Sequence, residues 1–342
     1  MHHKRRYAKN DERGGERVLG ITKIKTATHE EWLEERKKSL GGSDMGAILG
    51  MNPYSSPYTV WAEKTGKLPP FEGNEWTRLG NDLEDYVAKR FTEASGLKVS
   101  VDKATWRNSK YPHLHANIDR KVVGRKAGLE CKVTSEMNAK KYKNGEFPDR
   151  FYAQCCEYLL VTEYDRWYLA VLIYGKGIKI YQMTRIKDDT VPEWCEASVY
   201  VDDAELESLA KASADFWNNH VLTGIPPMAD GTDSTSETIS TIYPESNGET
   251  VSLMAYEQDM HQYMSLGELI DSMKEQREEI ANRIKAYMGE AGRGESNKFK
   301  VTWSSSIRST FDHKRFAQEH PQMDLTDYYK ATATRTFKII ER

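Results

Sequence analysis

Asp119, Glu130 and Lys132 form a D-x₁₀-E-x-K pattern on two short segments, Ile118-Asp119 and Glu130-Cys131-Lys132. In a strand, side chains alternate between faces, so Glu130 and Lys132 share one face while Leu129, Cys131 and Val133 take the other. The apolar set belongs to the core, which sends the charged pair to a cleft or to solvent. Between the segments, Val123-Gly124-Arg125-Lys126 suits a two-residue turn with glycine first, the type II′ pattern. Pairing 123 with 126 sets 121 opposite 128 and 119 opposite 130. Asp119 and Glu130 are then cross-strand neighbours with Cβ atoms about 5 Å apart. Two carboxylates so placed repel unless a cation lies between them, and a hard divalent ion with oxygen ligands, Mg²⁺ or Mn²⁺, meets that need. Lys132 beside them can position and deprotonate a water, or stabilise negative charge on a phosphate.

A lone pattern of this kind arises by chance, and a solvated strand face with an ordinary Glu/Lys pair is the competing reading. The surrounding elements decide. Residues 75–95 carry Leu79, Leu83, Tyr86, Val87 and Phe91 at helical spacing. On that wheel Glu84 lies at the border of the apolar face and can turn inward, while Asp85 lies nearly opposite and is solvated. A helix is expected from His29 to Leu40 with Thr28 as N-cap. A short helix capped by Ser43-Asp44 runs to Leu49, and another runs from Tyr58 to Thr65. Strands are expected over 97–101, 114–123 and 129–134, then a buried helix over 150–161. A hairpin follows over 167–173 and 178–183, and a helix over 203–220. This order predicts an α/β fold with a central mixed sheet flanked by helices.

Residues 1–28 read as a flexible N-terminal arm, and 29–225 as the core. Pro226-Pro227 and the Ser/Thr/Asp-rich run from Asp230 to Ser240 read as a linker over 226–252, which makes residue 225 the expected end of an independent core. Beyond it, 253–342 reads as a C-terminal helical arm with a small β extension. Tyr263, Leu266, Ile270, Met273, Ile280, Ile284 and Tyr287 follow 3-4 heptad spacing with Arg277 in the seam. Both a coiled-coil element and an amphipathic helix lying on the protein's own surface fit that pattern. Phe299, Val301 and Trp303 alternate as a strand for which Phe337-Lys338-Ile339 is a candidate partner.

The four cysteines, Cys131, Cys155, Cys156 and Cys195, contain no C-x-x-C pair. That spacing argues against a zinc site, a disulfide framework or a cysteine-held cluster, and for reduced thiols. A net charge of −3 excludes a protein that coats duplex DNA over its whole surface; any nucleic-acid contact must be local. No run approaches the roughly 18 apolar residues of a membrane span, and the basic Met1–Arg6 start has no apolar run behind it, so a cytoplasmic protein is expected.

The ordered set of motifs resembles the YqaJ-like viral recombinases, the group that includes lambda exonuclease, within the PD-(D/E)XK nuclease superfamily. Trp32, Arg36 and Gly41-Gly42-Ser43-Asp44 resemble the opening motif. Gly50, Pro53, the Lys64-Thr65-Gly66 turn and Arg78-Leu79-Gly80 with Glu84 follow in order. Ile118-Asp119 and Glu130-Cys131-Lys132 match the catalytic strands, and Tyr152-Ala153-Gln154 matches the first half of a Q-x-Q helix motif. Two departures stand out: Ile118 replaces the proline before the aspartate, and Cys156 replaces the second glutamine.

The resemblance implies a restriction-endonuclease-like core. It implies a catalytic set of Asp119, Glu130, Lys132 and Gln154, with Glu84, Asp119, Glu130 and Cys131 at the metal and Arg36 and Ser43 on a DNA 5′-phosphate. It also implies 5′→3′ digestion of one strand of duplex DNA with Mg²⁺ or Mn²⁺, leaving a 3′ overhang for phage-type recombination. The implied partners are DNA ends, a single-strand annealing protein and further copies of the chain, in a ring for some relatives. Arg120, Lys121, Arg125, Lys126, Lys140, Lys141 and Lys143 are expected as a basic rim that neutralises phosphates without reading sequence. An endonuclease of the same fold and a catalytically silent DNA-binding factor remain the alternatives.

Overall fold

The computed structural model describes residues 17–18, 20–70, 72–142, 145–330 and 334–341. The chain divides into two units, one running to Ile242 and one over Tyr243–Arg342. The first begins with β1 (Arg17–Val18), β2 (Ile21–Ile24), α1 (His29–Lys37), β3 (Leu40–Gly41), α2 (Gly42–Ile48), α3 (Pro57–Lys64) and α4 (Glu75–Ser95). It continues with β4 (Val99–Val101), β5 (Thr105–Asn108), β6 (Leu114–Asn117), β7 (Arg120–Val122), β8 (Ala127–Thr134) and α5 (Asp149–Thr162). It closes with β9 (Arg166–Ile173), β10 (Gly177–Thr184), β11 (Ala197–Tyr200), α6 (Asp203–Phe216) and α7 (Asp233–Ile242).

The central sheet has the order β11-β10-β9-β8-β7-β4. It is parallel between β8 and β9 and between β10 and β11, and antiparallel elsewhere. Helix α4 covers one face, where Val87, Ala88 and Phe91 pack with Leu129, Tyr168, Ala170 and Ile180. Each large side chain so buried contributes about 1.5–3 kcal/mol. Helix α5 covers the other face and lies between this sheet and a second one of order β1-β2-β5-β6-β3, which explains why it is apolar nearly all round. The architecture is the α/β one expected, with a central mixed sheet flanked by helices. Gly128 sits directly under Trp167 on the α5 face; a Cβ there would lie 2.2 Å from the indole ring, so only glycine fits.

Several elements differ from the sequence pattern. Within the expected N-terminal arm, residues 1–16 and 19 lie outside the described residues, but Ile21–Ile24 is a strand paired with β5. Its Ile21 is buried, and Lys23 lies over the Trp106 ring and pairs with Asp102 at 2.8 Å. The single strand expected over 114–123 is two. β6 pairs in one sheet and β7 in the other, with Ile118-Asp119 at the break. The N-cap of α2 is Gly41 rather than Ser43, and Asp44 reaches back to the Gly41 N–H at 2.8 Å.

The expected linker is a further departure, because residues 233–242 are helix α7. Thr59 Oγ1 bonds the hydroxyls of Ser234 and Thr238, each at 2.8 Å, and Thr235 bonds Ser56 at 2.8 Å. Ile239 and Ile242 pack on the core. A Ser/Thr run reads as a loop on composition, but its hydroxyls pair with those of α3. In the second unit, α8 (Glu257–Met288) holds the heptad seam, and none of its residues is buried. The strand at Lys300–Thr302 pairs with Arg293–Glu295 rather than with 337–339. Among the described residues no helix is long and apolar enough to cross a membrane.

The position of α7 moves the expected end of the core. A chain ending at residue 242 should unfold cooperatively. One ending at 225 should lose about 3 kcal/mol through its hydroxyl bonds and two isoleucines. Calorimetry should show that as a Tm lower by roughly 6–12 °C; equal Tm values for the two would mean α7 adds nothing to the core.

Candidate active site

The register of the hairpin carries the site. Arg120 pairs with Leu129 and Lys121 with Gly128, so one further step sets Asp119 opposite Glu130, as the residue pattern requires. The turn differs: Arg125 N–H bonds the Val122 carbonyl, and Gly124, with φ 73°, occupies its third position. Glycine is needed there because the left-handed backbone disfavours a Cβ. The Asp119 carboxylate also accepts the Cys131 N–H at 2.7 Å, which ties it to the facing strand.

Glu130 does not face solvent. It is 2 % exposed, beneath α5, and its Oε1 takes Lys132 Nζ at 2.5 Å and Gln154 Nε2 at 2.8 Å. Gln154 also donates to the Tyr158 hydroxyl at 2.7 Å. The other Glu130 oxygen, Oε2, is buried without a hydrogen-bond partner. Burial, then the Glu130 charge, pushes the Asp119 carboxyl well above the usual carboxylate range, with Glu84 adding to the push. Burial works against the Lys132 charge, but Glu130 and Asp119 outweigh it and hold the ammonium above the ordinary lysine range.

Glu84 and Asp85 separate in exposure as the helical wheel expects, at 32 % and 91 % for the side chains. Neither is free, however. The Arg120 guanidinium grips Glu84, holds Asp85 at 2.5 Å, and donates to the Asp119 carbonyl at 2.7 Å. Arg120 is 4 % exposed, so it belongs to this ion network and not to a basic rim. Lys121 is likewise turned to Asp102 at 3.1 Å. Arg125, Lys126, Lys140 and Lys141 remain exposed, while Lys143 lies outside the described residues. The Cys131 thiol is half-buried against the α4 face, as strand alternation dictates, and burial followed by the two carboxylates raises it well above the usual thiol range. The thiol is turned to the α4 face, away from Glu130, so the main-chain carbonyl is what Cys131 could offer a cation there.

Arg36 and Ser43 come together across the turn from α1 to α2, with Nη2 3.5 Å from Oγ. Three contacts fix α1: Trp32 Nε1 to Asn117 at 3.2 Å, Arg107 to Glu35 at 2.8 Å, and Lys64 Nζ to the Arg36 carbonyl at 3.0 Å. Lys64 also forms a buried pair with Asp44 at 2.7 Å. A Cβ on Gly41 would lie 2.9 Å from the His115 ring, and one on Gly42 would lie 2.9 Å from both Gln154 and Tyr158. The two glycines thus seat α2 against β6 and α5. The motif resemblance included Lys64 and Asp44 but not their pairing.

Two further residues escape sequence reasoning. Glu157, one turn beyond Gln154, is fully buried with both oxygens unpartnered. Burial, then Asp44 and Glu130, hold its carboxyl well above the usual carboxylate range. Arg150 opens α5 exposed, its guanidinium over the Tyr54 and Phe151 rings at 4.7 and 5.1 Å. A lone charge on a helix gives no sequence signal for either.

The residues fit a hard divalent cation. Asp119 and Glu130 offer oxygen donors only, they repel each other, and one buried oxygen lacks a partner. Glu84 is turned to Arg120, and among the described residues no three His, Cys, Asp or Glu side chains stand gathered as a ready ligand set. Because the folded-state pKa of Asp119 is raised, the folded protein keeps a proton that the unfolded chain has lost. Stability therefore falls as pH rises from the ordinary aspartate value of about 4 towards the folded one. In EDTA at pH 8, D119N should raise the Tm above wild type, and the gain should vanish near pH 3. Mn²⁺ should raise the wild-type Tm and not that of D119N. A lower Tm for D119N in EDTA would mean the carboxylate is already compensated.

A YqaJ-like viral recombinase domain model matches residues 31–165, which span α1 to α5 and every residue named at the site. The YqaJ protein of Bacillus subtilis (strain 168) is 34 % identical over 326 residues, covering 94 % of this chain and 97 % of its own. An uncharacterised protein of Acanthamoeba polyphaga mimivirus is 24 % identical over 149 residues, covering 40 % of this chain and 27 % of its own. Among solved structures, the alkaline exonuclease LHK-Exo of Laribacter hongkongensis is similar at a TM-score of 0.43 and 13 % identity, covering 57 % of this chain and 94 % of that one. A phage-related exonuclease of Haemophilus somnus 129PT is similar at 0.38 and 14 %, covering 56 % and 99 %. With a relative matched over nearly its whole length, the chain belongs to the YqaJ family.

Proposed function

We propose that the protein is a divalent-cation-dependent exonuclease that digests one strand of linear duplex DNA from its 5′ end. The observation that carries the reading is the cross-strand pair of Asp119 and the buried Glu130, with Lys132 and Gln154 on the same face, in a chain of this family. Asp119, Glu130 and the Cys131 carbonyl hold the cation, and Glu84 completes the set. A Mg²⁺ or Mn²⁺ ion there supplies Lewis-acid polarisation of the scissile phosphate and activation of a water. Gln154 holds the Glu130 carboxylate in place and leaves Oε2 for the ion.

Lys132 enters the reaction as an ammonium beside the carboxylates. That favours charge stabilisation at the phosphate over proton abstraction, although a bound cation would draw its pKa back down. Arg36 offers a guanidinium fork and Ser43 a hydroxyl, together suited to a terminal phosphate. Arg150 and the exposed Arg125, Lys126, Lys140 and Lys141 give an acidic protein local cations that could neutralise phosphates. The 3′ overhang left behind suits a single-strand annealing protein, and a ring of copies would keep the enzyme on one duplex.

End-labelled linear duplex with Mg²⁺ tests the reading. Duplex with a 5′-phosphate should be degraded about tenfold or more faster than duplex with a 5′-hydroxyl, the worth of a charge-assisted hydrogen bond or two. R36A should remove most of that difference, and E130Q should abolish cleavage while still binding DNA. Nicking of closed circular DNA, with equal rates on both ends, would replace this reading with an endonuclease. Wild-type turnover by E130Q would end the catalytic assignment altogether.

A further inference from the structure

We infer that Arg120 is a latch on the cation site: its guanidinium competes with the cation for Glu84, and keeps Asp85 and the Asp119 carbonyl when Glu84 turns away. The inference rests on the proposed reading, in which Glu84 joins Asp119 and Glu130.

Strand alternation puts Arg120 opposite Leu129, on the α4 face, while Asp119 takes the face of Glu130. From there its fork reaches two consecutive acids of α4. Nη1 serves Glu84 and the Asp119 carbonyl, and Nη2 serves Asp85. A lysine has one nitrogen and could not span that set. The guanidinium is 4 % exposed, and a buried cation left unpaired is costly. Release of Glu84 does not leave it unpaired, because Asp85 and the carbonyl remain on the fork. Asp85 supplies this second partner from the solvent side, with its side chain 91 % exposed.

Arg120 and Asp85 are positioning residues in this account, acting through Glu84.

The test is Mn²⁺ binding to the full chain, read from the electron paramagnetic resonance signal of free Mn²⁺, with no turnover required. R120Q should bind Mn²⁺ more tightly than wild type, because Glu84 has lost its competing partner. D85N should bind about threefold to tenfold more weakly, because the fork then depends on Glu84 alone. D82N, which removes an exposed acid one turn away on the same helix, controls for the bare loss of charge and should change little. In the R120Q background the D85N penalty should disappear. If R120Q fails to fold, R120K carries the same cycle, with charge retained and the fork lost, and the D85N penalty should shrink in it. Weaker binding by R120Q, or a D85N penalty that persists undiminished without the fork, would overturn the latch and make Arg120 a prop that orients Glu84. A wild-type protein that binds no Mn²⁺ would instead overturn the reading of the site itself.

Discussion

Two carboxylates facing each other across a buried hairpin set the terms for everything around them. At about 5 Å and an effective dielectric near 20, their repulsion is roughly 3 kcal/mol. A hydrogen bond contributes about 1 kcal/mol net, so the Cys131 N–H on Asp119 and the Gln154 amide on Glu130 cannot offset it alone. Full positive charge is required. Lys132 supplies one on the Glu130 side, Arg120 neutralises the acids of α4, and Asp119 itself holds a proton where solvent-exposed aspartate would not. Charge packed this closely is what a divalent ion would relieve, as the proposed cation site requires.

The scaffold holds this arrangement through close approaches that few residues allow. Gly128 lets Trp167 lie flat beside Glu130, while Gly41 and Gly42 let α2 press on His115, Gln154 and Tyr158. Helix α5 therefore touches both halves of the site. Gln154 bonds Glu130 on one side and packs against the start of α2 on the other, where Ser43 and Arg36 lie. A substitution that shifts α5 moves Glu130 and the Arg36–Ser43 pair together. Glu157, fully buried, with Asp44 and Glu130 both raising its carboxyl, stands at the same junction.

The chain carries a net charge of −3, and several of its cations are held internally: Arg120 by Glu84 and Asp85, Lys121 by Asp102, and Lys64 by Asp44. Arg125, Lys126, Lys140 and Lys141 stay exposed to solvent.

The chemistry-bearing register was legible from residues 119–132 alone, because a strand has period two and a hairpin leaves few ways to pair. The two-residue turn set Asp119 opposite Glu130, and the structure keeps that register while closing the hairpin with a different turn. Helix α4 was legible to its ends for a similar local reason, with Asn74 capping it and Gly96 stopping it. Tertiary structure decided what local periodicity does not encode. It broke the expected strand over 114–123 between two sheets, folded the Ser/Thr run into α7 by pairing its hydroxyls with α3, and drew Ile21–Ile24 into a sheet. It also decided that Glu130 lies under a helix instead of facing solvent, and that Arg120 serves Glu84 and Asp85 instead of DNA. A charge pattern specifies what a side chain carries; only the packing of distant elements specifies which opposite charge it meets and how much water is left between them.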